Sequence, residues 1–440
     1  MLSLIGLLAG LGLLIVLTMR GVELLVAAPM CALLVAVTSG FALFPQVAVE
    51  GAPDFVTAYM SGFTGFFQTW FFMFLLGSIF GKLMESSGAA DSVASRIVGK
   101  LGSGHAVAAV VIACAVLTYG GVSLFVVAFS VYPMALSLFR AADLPRRFVP
   151  ASLGFGSVTF TMTSAGSPEI QNWIPTKYLG TTPYAAWEVS VVVAAAMALG
   201  GYAWLMWMVR RARERGERFT AYTHDPRAER RELPAVWRGT VPLLAVLAVS
   251  FLLHERLKES ALIVALGAGV LAGLILNARF LTRAGLAEIA TSGALGALVA
   301  LANTAAVVGF GGVAKLTAGF QAAVDTMTQL PGEPLVGAAL AVSIIAGLTG
   351  SASGGQTIAL PLIGPHYIDM GVDPDALHRV VAISSGALDT LPHNGYVVTT
   401  LRAICRESYG AAYPAFGALT VVVPAVGACL AIALLVLWPA

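Results

Sequence analysis

Asp389, Thr390, His393 and Asn394 fall within six positions of one apolar stretch, "SSGALDTLPHNGYVVTT" (384–400). A carboxyl and an imidazole in such surroundings can take up and release protons. The same carboxyl, with the Asn394 amide and nearby carbonyls, can instead offer hard oxygen ligands to sodium. A charged imidazole, or a freed helix N-terminus, can hold a carboxylate. Pro392 and Gly395 break any helix that runs through the stretch. Three more clusters share this character: "TYGGVS" (118–123), "TMTSAGSPEIQN" (161–172) and "TGSASGGQT" (349–357). Their glycines let backbone approach a ligand, and their hydroxyls and amides can bind substrate hydroxyls.

The candidate substrate-binding residues are therefore Gly121, Ser123, Thr161, Thr163, Ser164, Gly166, Ser167, Ser351, Ser353, Gly354, Gly355, Gln356, Thr390, His393 and Asn394. The candidate cation-coupling residues are Asp389, His393 and Glu169, with His393 four residues beyond Asp389. A bland reading stands beside each. Gly and Ser in apolar helices also serve helix packing. Glu169, after Pro168, also suits the N-terminus of a short helix. His366 and His378 are expected at the outer surface. Cys31, Cys114, Cys405 and Cys429 stand far apart and read as small core residues, not as a metal or disulfide framework.

Holding such groups in place requires elements suited to an apolar solvent. The 440 residues are 58% hydrophobic and 11% charged, with a mean hydropathy of +0.86. A soluble chain carries about 25% charged residues. Apolar runs at 2–19, 22–44, 62–81, 185–209, 239–253, 260–278, 290–312 and 414–438 suit membrane spans of about 20 residues. None alternates like an outer-membrane barrel strand. The expected fold class is an all-α polytopic membrane protein. A net charge of +2 gives nucleic-acid binding no support.

Residues 210–238 hold nine arginines against five acids and are placed in the cytoplasm. Counting outward from this linker puts 20 of the 25 Lys and Arg on that side, provided that 105–138 and 335–370 are hairpins that enter and return. A full two-span reading of each hairpin keeps the same sidedness. The order then repeats. Residues 1–209 give three spans, the hairpin 105–138, a broken helix at 149–172 and a final span. Residues 239–440 give the same order in the opposite orientation, with the hairpin 335–370 and a broken helix at 378–404. "GSVTFTMTSAGS" (156–167) aligns without gaps on "GALDTLPHNGYV" (386–397). Inverted repeats with broken helices mark secondary transporters, whose sites form where the breaks meet.

Enzyme motifs are missing. "HERLK" at 254 lacks the second histidine of a zinc protease, and "SASGG" lacks the G-x-S-x-G of a hydrolase elbow. An intramembrane serine hydrolase using Ser353 and His393 is the enzyme alternative. A channel is another, and it calls for a continuous polar pore rather than four internal breaks.

"GGVSLFVVAFSVYPMALSLFRAADLPRR", "TFTMTSAGSPEIQNWIPTKYLGTTPY" and "SSGALDTLPHNGYVVTT" resemble the gluconate permease family of the ion transporter superfamily. The similar branch includes 3-hydroxybutyrate permeases, and the resemblance covers nearly the whole chain. "DTLPHNG" departs from the gluconate carriers proper. The resemblance implies an elevator-type homodimer of scaffold and transport domains in the bacterial inner membrane, without a cofactor. It implies proton symport, while related superfamily members use sodium bound at hairpin tips. The expected function is cation-coupled import of small (hydroxy)monocarboxylates such as 3-hydroxybutyrate or gluconate.

Overall fold

The computed structural model describes residues 2–49, 51–122, 124–222, 232–258, 260–328, 332–392 and 394–437. Ser123, His393 and residues 223–231 of the linker lie outside these residues. Among the described residues the chain is helical, and its only strand-like feature is an isolated bridge between Ala42 and Asp54. Seven described helices are long and apolar enough to cross a membrane.

The first part of the chain forms α1 (Leu2–Met19), α2 (Leu24–Thr38), α3 (Phe55–Ser86), α4 (Ala89–Leu101), α5 (Ala106–Tyr119), α6 (Leu124–Ala141), α7 (Val149–Gly154), α8 (Ile174–Leu179) and α9 (Trp187–Glu214). The second forms α10 (Val236–Leu257), α11 (Ser260–Asn277), α12 (Arg283–Ala314), α13 (Ala318–Thr328), α14 (Pro334–Thr349), α15 (Ala352–Asp369), α16 (Pro374–Ser385), α17 (Gly395–Val398), α18 (Tyr409–Gly417) and α19 (Val423–Leu437). The order repeats: three long or apolar helices, a short one, a pair joined at a tight turn, a broken helix and a closing span. The short helices α4 and α13 are additions to the sequence reading. α4 buries a strip of small residues (Ala89, Ala90, Val93, Ala94) and carries Asp91, Arg96 and Lys100, so no long apolar run marks it.

Local chemistry explains where the helices start. Asp54 caps α3 by accepting from Thr57 N at 2.9 Å, and Thr282 caps α12 through Gly285 N at 3.0 Å. No proline interrupts either 32-residue helix. α3 also carries an aromatic ladder at four-residue spacing, Phe55, Tyr59, Phe63, Phe67 and Phe71, with neighbouring rings 5.8–6.4 Å apart. α3 lies along α12, with α11 and α2 packed against this pair. The crossing is close because it is built on glycine. A Cβ on Gly62 would lie 2.5 Å from Val308 O, and one on Gly312 would lie 2.5 Å from Ala58 O.

The two helix pairs are α5–α6 and α14–α15. Each turns on a left-handed glycine, Gly121 (φ 88°) in the first and Gly350 (φ 60°) in the second, where an L side chain is strained. α5 has 14 residues and α14 has 16, so they rise about 21 and 24 Å. Both fall short of the ~30 Å hydrocarbon layer.

Candidate functional site

The first break follows α7. The helix loosens into a π-type turn over Phe155–Thr159, ends, and resumes as a 3-10 turn at Ile170–Asn172. The second break separates α16 from α17, and α17 itself runs into a π-type turn, Thr399–Ile404. Residues 386–392 and Asn394 are not helical, and His393, expected four residues beyond Asp389 at helical spacing, lies outside the described residues. Pro392 suits such a break, since it has no N–H to give and clashes with a preceding helical turn.

A broken helix in an apolar setting leaves carbonyls that need donors. At the first break, Ala165 O accepts from the Tyr119 hydroxyl at 2.6 Å, and Ser167 O accepts from Asn172 Nδ2 (3.2 Å) and Trp173 Nε1 (3.1 Å). Thr163 O accepts from Arg379 Nη1 at 2.7 Å. At the second break, Thr390 O accepts from the Tyr413 hydroxyl (3.2 Å) and Pro392 O from the Tyr409 hydroxyl (2.9 Å). Asn394 does two things. Its Oδ1 accepts from Val397 N at 3.0 Å and so caps α17, while its Nδ2 donates to Gly350 O at the tip of the second hairpin, 2.9 Å away.

The four polar clusters meet in pairs. Gln356 on α15 donates from Nε2 to Gln171 O of the first break and to Ser385 Oγ, which opens the second, both at 2.9 Å. The breaks themselves touch, as a Cβ on Gly386 would lie 3.8 Å from the Thr163 methyl. The first hairpin tip lies on the first break: a Cβ on Gly121 would lie 3.4 Å from Pro168. Just beyond that tip, the Phe125 ring meets Tyr396 of α17 edge-on at 5.7 Å. Gln171 Oε1 and Gln356 Oε1, on either side of the contact between α15 and the first break, and Asp389 Oδ1 in the second break are each buried without a hydrogen-bond partner among the described residues. Burying such oxygens without a donor or a cation is costly.

Several sequence candidates are occupied by the protein itself. Thr390 Oγ1 turns away from the junction and pairs with Thr420, at 2.8 Å to its carbonyl and 2.9 Å to its hydroxyl. Thr161 donates to Ser157 O at 2.7 Å, and Ser164 bonds Phe160 O. Both obey the habit of helical hydroxyls to bond the preceding turn. Gly166 N donates to Pro183 O at 3.0 Å, and Ser167 is fully buried beside Asn172 and Trp173. Gly355 is a packing glycine, since its Cβ would lie 2.6 Å from Ala346 Cα across the hairpin. Ser351 caps α15 through Gly354 N (3.1 Å) and lies 3.3 Å from Ser353 Oγ, whose residue is buried. Glu169 is half-buried and makes no side-chain cap on the turn after it.

His378 is not at the surface. It is fully buried, with Nδ1 2.6 Å from Thr181 Oγ1. Its neighbour Arg379 is the residue that the sequence reading missed. The Arg379 guanidinium is wholly enclosed and donates to Ala185 O (3.0 Å), Thr163 O (2.7 Å), Asn172 Oδ1 (2.9 Å) and Pro183 O (3.2 Å). Arg146 mirrors it. It binds Glu407 Oε1 and Cys405 O beyond the second break, both at 3.0 Å, and the Tyr132 hydroxyl at 2.7 Å. Among the described residues no cluster of three or more His, Cys, Asp or Glu is placed to hold a metal ion.

No family model matches the chain. The chain is 35% identical over 451 aligned positions to the uncharacterized transporter YxjC of Bacillus subtilis (strain 168), covering 92% of this chain and 94% of that protein. Its fold matches the crystal structure of the Alcanivorax borkumensis YdaH transporter, described as having an unusual topology, with a TM-score of 0.57. Identity there is 16%, over 97% of this chain and 99% of YdaH. Neisseria gonorrhoeae MtrF aligns at a TM-score of 0.47 and 15% identity, over 94% of each chain. A long, all-helical array of spans with two tip-joined helix pairs and two broken helices, joined to this identity, places the chain in the family of YxjC as a multi-pass membrane transporter.

Proposed function

We propose that the protein is a secondary active importer of small (hydroxy)monocarboxylates, driven by proton symport in the bacterial inner membrane. One observation carries the reading. Two hairpins and two breaks meet, and Gln171 Oε1 and Gln356 Oε1 at the contact between α15 and the first break, with Asp389 Oδ1 in the second break, are each buried without a partner among the described residues. Asp389 is the acid in the second break and the proposed proton carrier. Gln356, Ser353 and Asn394, on the second hairpin and at the end of the second break, are the proposed substrate contacts, and Arg379 supplies positive charge behind the first break. The resemblance of "GSPEIQNWIPTKYLG" and "DTLPHNG" to the 3-hydroxybutyrate branch of the gluconate permease family supports the carboxylate class. It also supports a homodimer whose hairpins and breaks move as an elevator against the α3–α12 group.

Uptake into proteoliposomes tests this directly, with a panel of carboxylates and separately imposed proton and sodium gradients. Asp389→Asn should abolish proton-driven accumulation while retaining substrate exchange. Sodium coupling is the second reading, because the same three oxygens are hard ligands. Wild-type uptake that follows a sodium gradient and ignores a pH gradient would select it.

A further inference from the structure

A cavity of about 530 Å³ lies between α9, α10, the tip of α5 and the outer side of the first break, where it is lined by Phe160, Thr161, Ser164 and Ala165 but by neither the second hairpin nor the second break. Five hydroxyl residues line it, and each hydroxyl is already engaged with backbone. Tyr119 donates to Ala165 O, Thr161 to Ser157 O, Ser164 to Phe160 O and Thr240 to Val236 O, while Ser190 accepts from Ala165 N. The remaining wall is alanine, valine, leucine and phenylalanine, with the bare backbone of Gly120. A hydrophilic substrate would find a single uncommitted donor, the Ser190 hydroxyl proton, on an otherwise apolar wall. The lining suits an apolar occupant.

The cavity opens sideways. Val191 and Ala195 on α9 and Leu244 on α10 line it and are exposed on the outer face of the helix array. Both helices are candidate spans, so this face meets lipid. A volume of about 530 Å³ falls within the range of about 300–1,000 Å³ that holds a drug-sized apolar ligand, enough for a length of acyl chain. We propose that the cavity is a lateral site for a single phospholipid acyl chain, entering between α9 and α10.

The site has a consequence that rests on the elevator reading. Its walls belong to parts that would move against each other. The hairpin tip lies directly on α10, where a Cβ at Gly120 would stand 2.7 Å from Leu243 Cδ2. A chain that touches both the tip and α10 favours the arrangement in which they are adjacent.

The test uses the full-length protein in liposomes containing a phospholipid with a diazirine at the acyl terminus, without any gradient. Light-induced adducts are located by mass spectrometry. Adducts should concentrate on 191–198 and 243–247, above the level at Leu271, an outward-facing residue of α11. Ala195→Phe and Ala198→Phe, made separately, should each lower the 243–247 adducts about tenfold and leave Leu271 unchanged, since a ring overfills the site. Leu244→Ala, which enlarges the mouth, should retain them. Adducts at 243–247 no more abundant than at Leu271, or unchanged by both fillings, would overturn the site. So would cysteine cross-linking between two copies at Ala195, which would make the occupant protein. Because labelling is read without transport, a failed carboxylate assay leaves this result standing.

Discussion

Arg379 gives the sharpest energetic test of how the first break is held. Its four acceptors are not equally dependent on it. Pro183 O also receives Gly166 N at 3.0 Å and Asn172 Nδ2 at 2.8 Å, so it keeps donors when the guanidinium is lost. Thr163 O, Ala185 O and Asn172 Oδ1 have no other donor among the described residues. In Arg379→Lys the charge stays, and one ammonium can reach the two acceptors that share Nη1, Thr163 O and Asn172 Oδ1. Ala185 O is then left bare at a cost of about 1–3 kcal/mol. In Arg379→Gln the shorter amide can serve one acceptor of the three, so two go unmet and the cost is about 2–6 kcal/mol. Thermal unfolding of the detergent-solubilised variants should therefore rank native above Lys above Gln. Substrate affinity should fall in the same order if the break shapes the site. Native-like stability and uptake in Arg379→Gln, or a Lys variant as damaged as the Gln one, would refute the role of the forked guanidinium as the brace of this break.

Two further outcomes follow from the other charged contacts. Glu407→Gln strips the carboxylate from Arg146 at a site where both side chains are about 95% buried, and should cost about 3–5 kcal/mol in thermal unfolding. The double change Arg146→Met with Glu407→Leu should cost less than Glu407→Gln alone, because neither member of this pair is then left facing the other's empty place. On the linker side, the bonds from Arg147 hold the Glu217 carboxyl below the usual carboxylate range, ahead of any effect of burial. Its contribution is thus complete above the unfolded value of about 4.3 and is lost as pH falls through the lower folded value. Glu217→Gln should flatten that part of the acid limb of stability and leave neutral pH nearly unchanged.

Some of this was legible in the sequence because membranes enforce it. Long apolar runs must become spans, and polar clusters within them must meet protein or water. That logic located both hairpins and both breaks. It did not locate α4 and α13, whose apolar strips are short and mixed with charge. Nor could it tell a free hydroxyl from one already engaged. Thr390 and Ser353 look alike in the chain, but Thr390 is held by Thr420 from a span some thirty residues away, whereas Ser353 Oγ meets its near neighbour Ser351 at 3.3 Å. Arg379 is a different case. An ionisable residue inside an apolar segment is a functional candidate by default. The same rule covers Arg379, since "HRVVAISS" puts the arginine at the head of the broken helix that holds Asp389.

The two buried arginines also constrain how any motion can occur. Arg146 sits just before α7 and holds the chain beyond the second break, at Cys405 and Glu407. Arg379, in α16, holds the chain around and beyond the first, at Thr163, Asn172 and Ala185. Each repeat thereby braces the broken helix of the other. Rocking the repeats apart would break at least five charge-assisted bonds in a buried setting, at about 1.5–3 kcal/mol each. Sliding both hairpins and both breaks together against α10 and the α3–α12 pair breaks none of them. At the first hairpin tip such a slide would run over an apolar contact, where Gly120 lies on Leu243. A covalent cross-link between cysteines at Thr163 and Gly386, which joins the two breaks, should therefore leave uptake intact. One between Gly120 and Leu243 should stop uptake and release it on reduction. If the first cross-link abolishes transport and the second does not, the repeats move apart and the braces open during the cycle.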